Sequence, residues 1–176
     1  MGIALVFLAL GACKDKPTDP GTPAGVLRFT YSGVRTGVFQ ASGGPSKGAP
    51  SAAYAYNLQS TDDDLSVVAY RTLADPRYYD DITFTILDPK VGTITCATMS
   101  QCPVEMGLIL FSMREDGPAE VDVRPTSLRL TISALTASSI EGSFEMEAEG
   151  GTSAGARAQL SITKGEFNIP RVQLFP

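Results

Sequence analysis

The sequence predicts an all-β protein, an antiparallel sandwich of two sheets with about ten strands, with a closed β-barrel as the alternative. Short runs rich in β-branched and aromatic residues follow one another from Val26 onward, separated by Gly, Pro and Asp. Many runs alternate with period two: Leu128, Leu130 and Ile132 share one face of SLRLTIS. One buried and one wet face are typical of antiparallel sheet, and no segment of useful length carries a helical apolar stripe.

Composition sets the size of the domain and excludes several kinds of chemistry. The chain has 176 residues, 43% of them hydrophobic, which is enough for one domain with a proper core. The formal net charge of -5 gives no basic surface for nucleic acid. Histidine is absent, so Ser-His-Asp and Cys-His nucleophile systems and His-based zinc sites cannot be built from this chain.

The N-terminal segment joins an apolar run to a cysteine. Residues 3–10 are too short to span a bilayer as a helix but have the length of the apolar core of a signal peptide. The following Leu10-Gly11-Ala12-Cys13 resembles the lipobox of bacterial lipoproteins. The resemblance implies a signal peptide over 1–12, cleavage before Cys13, a diacylglycerol on its thiol and an acyl chain such as palmitate on the new amino terminus. Several acyl chains make a stable membrane anchor.

The residues around Cys13 bear on this interpretation. No Lys or Arg precedes the apolar run, although secretory signals usually begin with positive charge, and a start codon assigned too far downstream explains this most simply. The alternative is that 1–13 form a buried strand with a core cysteine. Residues 14–25 (KDKPTDPGTPAG) cannot bury a core and are predicted to be a flexible tether, which favours the lipobox interpretation, in which 13–25 are a lipidated cysteine and its tether. Lys14 is not the Asp that retains lipoproteins in the inner membrane, so the resemblance implies the outer membrane, at its periplasmic face or the cell surface.

The β-domain is predicted over 26–176. Turn chemistry marks several joints, such as Asp88-Pro89-Lys90, and the Gly-rich stretches 43–51 and 150–156 are predicted loops. The candidate strands cover 26–32, 34–42, 52–58, 65–73, 81–88, 91–96, 105–113, 126–135, 139–150, 156–165 and 166–174.

The C-terminal strands carry a second resemblance. The segments LTISALTASSIEGSFEMEAEG and LSITKGEFNIP are similar to the C-terminal half of a group of uncharacterised bacterial lipoproteins. This resemblance implies a β-sandwich domain and no particular activity. It rests on apolar positions and turn glycines: Ile132, Leu135, Ile140, Gly142, Phe144, Ile162, Gly165, Phe167 and Pro170.

Two cysteines remain besides Cys13. Cys96 and Cys102 lie six positions apart in TCATMSQCP, and in an exported chain such a pair is predicted to form a structural disulfide that closes the tip between two strands. A redox-active pair is the alternative, although those usually have CxxC spacing near a helix N-terminus. Metal binding by two cysteines without histidine is not expected.

Tyrosines are concentrated in one part of the chain. Five of the six lie between positions 54 and 79: Tyr54, Tyr56, Tyr70, Tyr78 and Tyr79. We expect Tyr78 and Tyr79 to lie in the loop ADPRYYDD beside Arg77, where they would be the best candidates for contact with a sugar or protein ligand. The alternative is that the tyrosines are buried in cross-strand packing.

Other polar clusters are expected to be structural. Asp62, Asp63 and Asp64 lack the register of a calcium loop and are interpreted as a solvated turn, and Asp80-Asp81 is a second, smaller cluster. The glutamates that alternate along one strand are interpreted as a charged solvent face rather than a glycosidase pair: Glu141, Glu145, Glu147 and Glu149. Ser46-Lys47 and Ser161/Lys164 have no motif context that would make them Ser-Lys dyads.

These observations predict a lipid-anchored cell-envelope protein with a binding or structural role, without catalysis, cofactor or metal. The expected partners are the membrane, through Cys13, and a glycan or envelope protein; no nucleic acid is expected. One alternative is a self-assembling envelope or filament subunit, in which a segment such as EFNIPRVQL pairs with a neighbour's sheet edge. The other is a carboxylate-dependent glycoside hydrolase, which a cleft with two close carboxylates would favour.

Overall fold

The computed structural model describes residues 25–46, 48–57, 64–75, 77–113 and 121–173, with side chains throughout except at 109–113. Cys13, the signal peptide and almost all of the tether lie outside these ranges. Among the residues described, no helix has the length and apolar character needed to cross a membrane. The strands are β1 (Val26–Gly33), β2 (Gly37–Ser42), β3 (Ser51–Asn57), β4 (Leu65–Thr72), β5 (Tyr78–Ile86), β6 (Gly92–Cys96), β7 (Val104–Met113), β8 (Val121–Leu135), β9 (Ser139–Thr152) and β10 (Arg157–Pro170), with a 3-10 turn at Met99–Gln101.

All ten strands belong to one sheet. Its order is β2-β1-β10-β9-β8-β7-β5-β4-β3, and β6 pairs with β8 beside this path. Every strand pairing is antiparallel, so the predicted all-β antiparallel class is confirmed. The sheet curls until it is nearly barrel-shaped. Of the two predicted architectures, the barrel describes this single continuous sheet more closely than the two-sheet sandwich.

The two ends of the sheet meet along a seam. The carbonyl of Gly43, just after β2, accepts a hydrogen bond from the N–H of Ala53 on β3 at 2.8 Å. Ala55 forms a parallel bridge with Arg171, just beyond β10. The carbonyl of Ala55 accepts a hydrogen bond from the N–H of Val172 at 2.7 Å. The outer edge of β3 is therefore partly covered by the chain's own backbone, which limits the exposed edge that antiparallel sheets must protect.

Inward-facing side chains fill the interior. Phe29 stacks on Phe39 with ring centres 4.7 Å apart, and Phe144 packs edge-on against Phe29 at 5.8 Å. The five phenylalanines at the centre are each 2% exposed or less: Phe29, Phe39, Phe84, Phe144 and Phe167. In the described part of the chain, the interior of the barrel is thus occupied by the protein's own side chains, and the outer face is where a ligand has access.

Strand β10 unites two predicted strands, 156–165 and 166–174. Its pairing with β9 shifts register between Ile162 and Gly165, which marks a β-bulge, and Lys164 adopts a φ of +54° there. The bulge absorbs the turn-like Lys-Gly pair without ending the strand. Residues 166–168 pair with β1 on one side and β9 on the other, so the backbone of this part of EFNIPRVQL is already paired within the sheet.

Strand β8 changes neighbours along its length. Residues 121–123 pair with β7, whereas 128–132 pair with β6. Between these two parts of β8, the pairing with β9 shifts register at Pro125/Ser127. Pro125 has no N–H and cannot donate a hydrogen bond to a neighbouring strand. A groove lies on the outer face beside this change of neighbours, lined by residues of β5, β7 and β8 and of the loop before β7.

Candidate functional site

The outer face of β3, β4 and β5 carries four tyrosines. Side chains alternate along each strand, and the register places Tyr54 opposite Val68 and Tyr70 opposite Asp81, on the face away from the phenylalanine core. We call the side chains of Tyr54, Tyr56, Tyr70 and Tyr79 the tyrosine face. The rings of Tyr54 and Tyr56 lie 6.2 Å apart, and burial, with repulsion from Tyr70 and Tyr56, raises the pKa of the Tyr54 phenol. The tyrosines thus form one half-buried cluster.

Tyr78 and Tyr79 are separated by strand geometry. The prediction that both lie in a loop is wrong, because β5 begins at Tyr78. Successive strand residues point to opposite faces, so only Tyr79 joins the tyrosine face. Tyr78 has the guanidinium of Arg77 5.8 Å from its ring centre, and Arg77 forms an exposed ion pair with Asp75 at 2.7 Å. Of the three predicted contact residues, the structure therefore places Tyr79 on the tyrosine face and leaves Arg77 and Tyr78 together, apart from it.

A groove runs beside Tyr79 on the outer face. Its volume is about 460 Å³, within the range of small-molecule sites. Tyr70 and Tyr79 supply aromatic surface and Asp81 a carboxylate. We call it the tyrosine groove; it is lined by Gly48, Ala49, Val68, Tyr70, Tyr79 and Asp81.

Asp81 is the polar group of this groove. Burial, together with the nearby charges of Asp80 and Asp122, raises the pKa of its carboxyl to about 6. Its Oδ1 is buried and accepts no hydrogen bond within the described part of the chain. A carboxylate in this state is incompletely satisfied, and a ligand that donates hydrogen bonds to it gains more than it would from a well-solvated one.

Asp80, one residue earlier, faces the interior and is paired. Its Oδ2 accepts hydrogen bonds from Nε and Nη2 of Arg71 at 2.9 and 2.7 Å. Arg71 also donates to the carbonyl of Val38 on β2 at 2.7 Å, across the seam. The two neighbouring aspartates thus have different roles: Asp80 ties strands together and Asp81 faces the grooves.

Asp81 also lines the groove between β7 and β8, which we call the split groove. This groove has a volume of about 880 Å³, and its other carboxylates are Glu105 and Asp122. Asp81 and Asp122 both lie opposite Ile109 of β7, so their backbones are two strand spacings apart, about 10 Å. Within the described ranges, no group of three acidic or cysteine side chains converges to hold a metal ion.

The predicted disulfide is present beside the split groove. The Sγ atoms of Cys96 and Cys102 lie 2.09 Å apart, with Cα atoms 5.5 Å apart. The bridge encloses the 3-10 turn, and Cys102, Met99 and Ser100 line the split groove. The disulfide therefore fixes the loop that borders this groove.

The remaining predicted clusters contribute no described residue to the lining of either groove. Asp62 and Asp63 lie outside the described residues, as does Lys47. On β9, Glu149 bonds Arg157 at 2.6 Å, and this hydrogen bond lowers the pKa of its carboxyl. The hydroxyl of Ser161 donates to Glu147 at 2.7 Å, which makes these residues part of a polar outer face, as predicted.

Sequence reasoning did not single out Tyr70 and Asp81 as site residues. A signal was present, because Tyr79 and Asp81 have the i, i+2 spacing that puts two strand residues on one face. The predicted strand begins at residue 81, which leaves Tyr79 in a loop, whereas β5 begins at Tyr78 and includes both residues. Comparison with protein-family models, with curated proteins and with solved structures finds no match to this chain.

Proposed function

We propose that this chain is a lipid-anchored protein of the bacterial outer membrane that binds a glycan, without catalysis, in its tyrosine groove. The lipobox-like Leu10-Gly11-Ala12-Cys13 and the tether of 13–25 support the anchor. The Cys96–Cys102 disulfide supports export, because disulfides persist in oxidising compartments.

The observation that carries the binding role is the juxtaposition of Tyr70, Tyr79 and Asp81 in one groove. Tyrosine rings offer flat apolar surface for the carbon-hydrogen faces of a sugar and a hydroxyl for its polar edge. A neighbouring carboxylate accepts hydrogen bonds from sugar hydroxyls. The filled barrel behind this face holds these groups in place, which lowers the entropic cost of binding.

The test measures glycan binding by the full chain in detergent, using an array of envelope-derived oligosaccharides followed by titration calorimetry. Tyr79→Ala is expected to weaken binding at least about fivefold, because a stacking ring is lost. Tyr56→Ala is the matched control, since Tyr56 belongs to the tyrosine face but does not line the groove. Equal effects of the two substitutions, or binding of no saccharide, would overturn the proposal.

A hydrolase is the second candidate, because Asp81 and Asp122 line one groove and the pKa of Asp81 is raised to about 6. Carboxylates about 5–10 Å apart serve as acid and base in glycosidases. We favour binding because the tyrosines and Asp122 lie in different grooves, with only Asp81 common to both. Release of reducing ends from the bound saccharide by the wild-type chain, abolished in both Asp81→Asn and Asp122→Asn, would establish the hydrolase instead.

A further inference from the structure

The charge and hydrogen bonding around Asp81 indicate which kind of saccharide the tyrosine groove would bind. We infer that its ligand, under the function proposed above, is a saccharide that carries a protonated amino group, and that Asp81 receives this group between Tyr70 and Tyr79. The inference rests on the charge around Asp81, on its unmatched hydrogen-bonding capacity and on the aromatic walls of the groove.

Nearby cations of the described chain are directed elsewhere. Arg71 lies on the adjacent strand, but its guanidinium bonds the inward-facing Asp80 and the carbonyl of Val38. Arg124 lines the split groove and does not line the tyrosine groove. Among the described residues that line the tyrosine groove, none is a cation that could pair with the ligand side of Asp81.

Within the described residues, the charged and titratable groups around Asp81 are mostly acidic. Asp80 and Tyr79 flank it on β5, Tyr70 lies opposite it on β4, and the residue opposite it on β7, Ile109, does not titrate. The more distant groups that share the split groove with Asp81 are Glu105 of β7 and Asp122 and Arg124 of β8. A cation at Asp81 is stabilised by this surplus of negative charge, whereas an anion is repelled.

The hydrogen bonding of the Asp81 carboxylate also favours a cationic ligand. Oδ1 of Asp81 is buried and accepts no hydrogen bond within the described residues, so the carboxylate turns toward the groove to bind a ligand, and an ammonium then brings it three N–H donors. Hydrogen bonds between ionised partners are stronger than neutral ones. A sugar hydroxyl supplies one donor and no charge, so it matches this carboxylate less well than an amine does.

The aromatic walls serve both parts of such a ligand. Tyr70 and Tyr79 line the groove beside Asp81. A tyrosine ring attracts a cation over its face, and it also packs against the apolar face of a sugar. An amino sugar presents both features within one ring, which fits a groove of about 460 Å³.

Titration calorimetry with two matched ligands tests the inference. The probes are glucosamine oligosaccharides and their N-acetylated counterparts of equal length, in which an uncharged acetamide replaces the amine. With the full chain in detergent at pH 7, the free-amine form is expected to bind about tenfold more tightly. Equal affinities, or binding of neither ligand, would overturn this inference, whereas the proposed glycan binding fails only if no saccharide of the array binds or if Tyr79→Ala and Tyr56→Ala have equal effects.

Two substitutions locate the preference. Asp81→Asn, which keeps the shape of the side chain, is expected to remove the preference for the free amine and retain binding of the N-acetylated form. Asp122→Asn is the control, because it removes the same charge from the outer face but from a residue outside the tyrosine groove. Loss of the preference in Asp122→Asn alone would assign the cation to the split groove and overturn the role of Asp81.

The wild-type chain provides a test that needs no substitution. Because the pKa of Asp81 is raised to about 6, lowering the pH from 7 to 5 protonates most of this carboxyl in the free protein. Affinity for the free-amine ligand is then expected to fall severalfold, the loss of ionised Asp81 being partly offset by the protons that the ligand amine gains, while affinity for the N-acetylated ligand changes little. The ligand amine only gains protons over this range, so the loss has to arise from the protein. Unchanged affinity for the free-amine ligand would contradict the inference.

Discussion

The buried ion pair at the seam gives a quantitative prediction about stability. Asp80 is 0% exposed, and its Oδ2 accepts hydrogen bonds from both Nε and Nη2 of Arg71. The Arg71 guanidinium also lies 5.1 Å from the ring centre of Phe39. Arg71→Met keeps an apolar stem but removes the charge that neutralises a carboxylate shut off from water. Breaking a buried pair costs about 3–5 kcal/mol, and because 25% of the Arg71 side chain is exposed we expect about 3 kcal/mol.

A second pair in the same molecule provides the control. Arg28 bonds Oε2 of Glu166 through Nε at 3.0 Å and Nη2 at 2.7 Å, the same arrangement as in the buried pair. Its side chains are 48% and 40% exposed, so Arg28→Met is expected to cost at most about 1 kcal/mol. Burial is thus the main difference between the two pairs.

The assay is urea unfolding of the full chain without reductant. Circular dichroism is the probe, because the chain has no tryptophan. The double variant Arg71→Met/Asp80→Leu is expected to recover most of the loss, since replacing both members of a buried pair by apolar groups is often neutral. Equal costs for Arg71→Met and Arg28→Met would refute the reasoning that burial determines the value of the pair.

Three further substitutions test the core, the close strand contacts and the titration of Asp81. Phe144→Ala removes a ring that is 2% exposed and is expected to lower the free energy of unfolding by about 3–5 kcal/mol in urea, whereas a loss below about 1 kcal/mol would contradict the described packing. Gly142→Ala places a Cβ against the carbonyl of Thr131 and 2.6 Å from the Phe167 ring, whereas the Cβ of the control Gly107→Ala meets nothing within 4 Å. The melting temperature of the Gly142→Ala variant should therefore fall well below that of the control, and equal melting temperatures would contradict this. Asp81→Asn is expected to raise the melting temperature at pH 7: the pKa of Asp81 is higher in the folded state, so its stabilising contribution is present below about pH 4 and is lost as the pH rises through about 6. A gain that is the same at pH 3.5 and pH 7 would contradict this assignment.

Local patterns in the sequence predict the strands well. In β8 and β9 the period-two alternation places Leu128, Leu130 and Phe144 on the buried face, where the structure has them. Local patterns fail at Lys164-Gly165, which has turn chemistry but forms a bulge because β9 continues on the other side of it. Strand β10 is continuous because it pairs with β1 and β9 along its length, and these pairings cannot be predicted from the sequence of the β10 segment alone.

The candidate site depends on contacts between distant parts of the chain. Asp80 and Asp81 are equivalent in the sequence, yet one faces the core and the other the outer surface because β5 begins at Tyr78. The tyrosine groove also includes Gly48 and Ala49, which reach it from the connection between β2 and β3. The closure of the sheet into a near-barrel likewise requires the pairing of its two ends, which is a property of the whole chain.

Intact-mass analysis of the full-length protein, expressed in a diderm bacterium and purified from membranes, tests the central claim most directly. The proposal predicts a chain that begins at Cys13, carries the mass of a diacylglycerol and one further acyl chain, and loses both in a Cys13→Ser variant. Recovery from the soluble cell fraction of a chain that retains residues 1–12 and bears no lipid would contradict it.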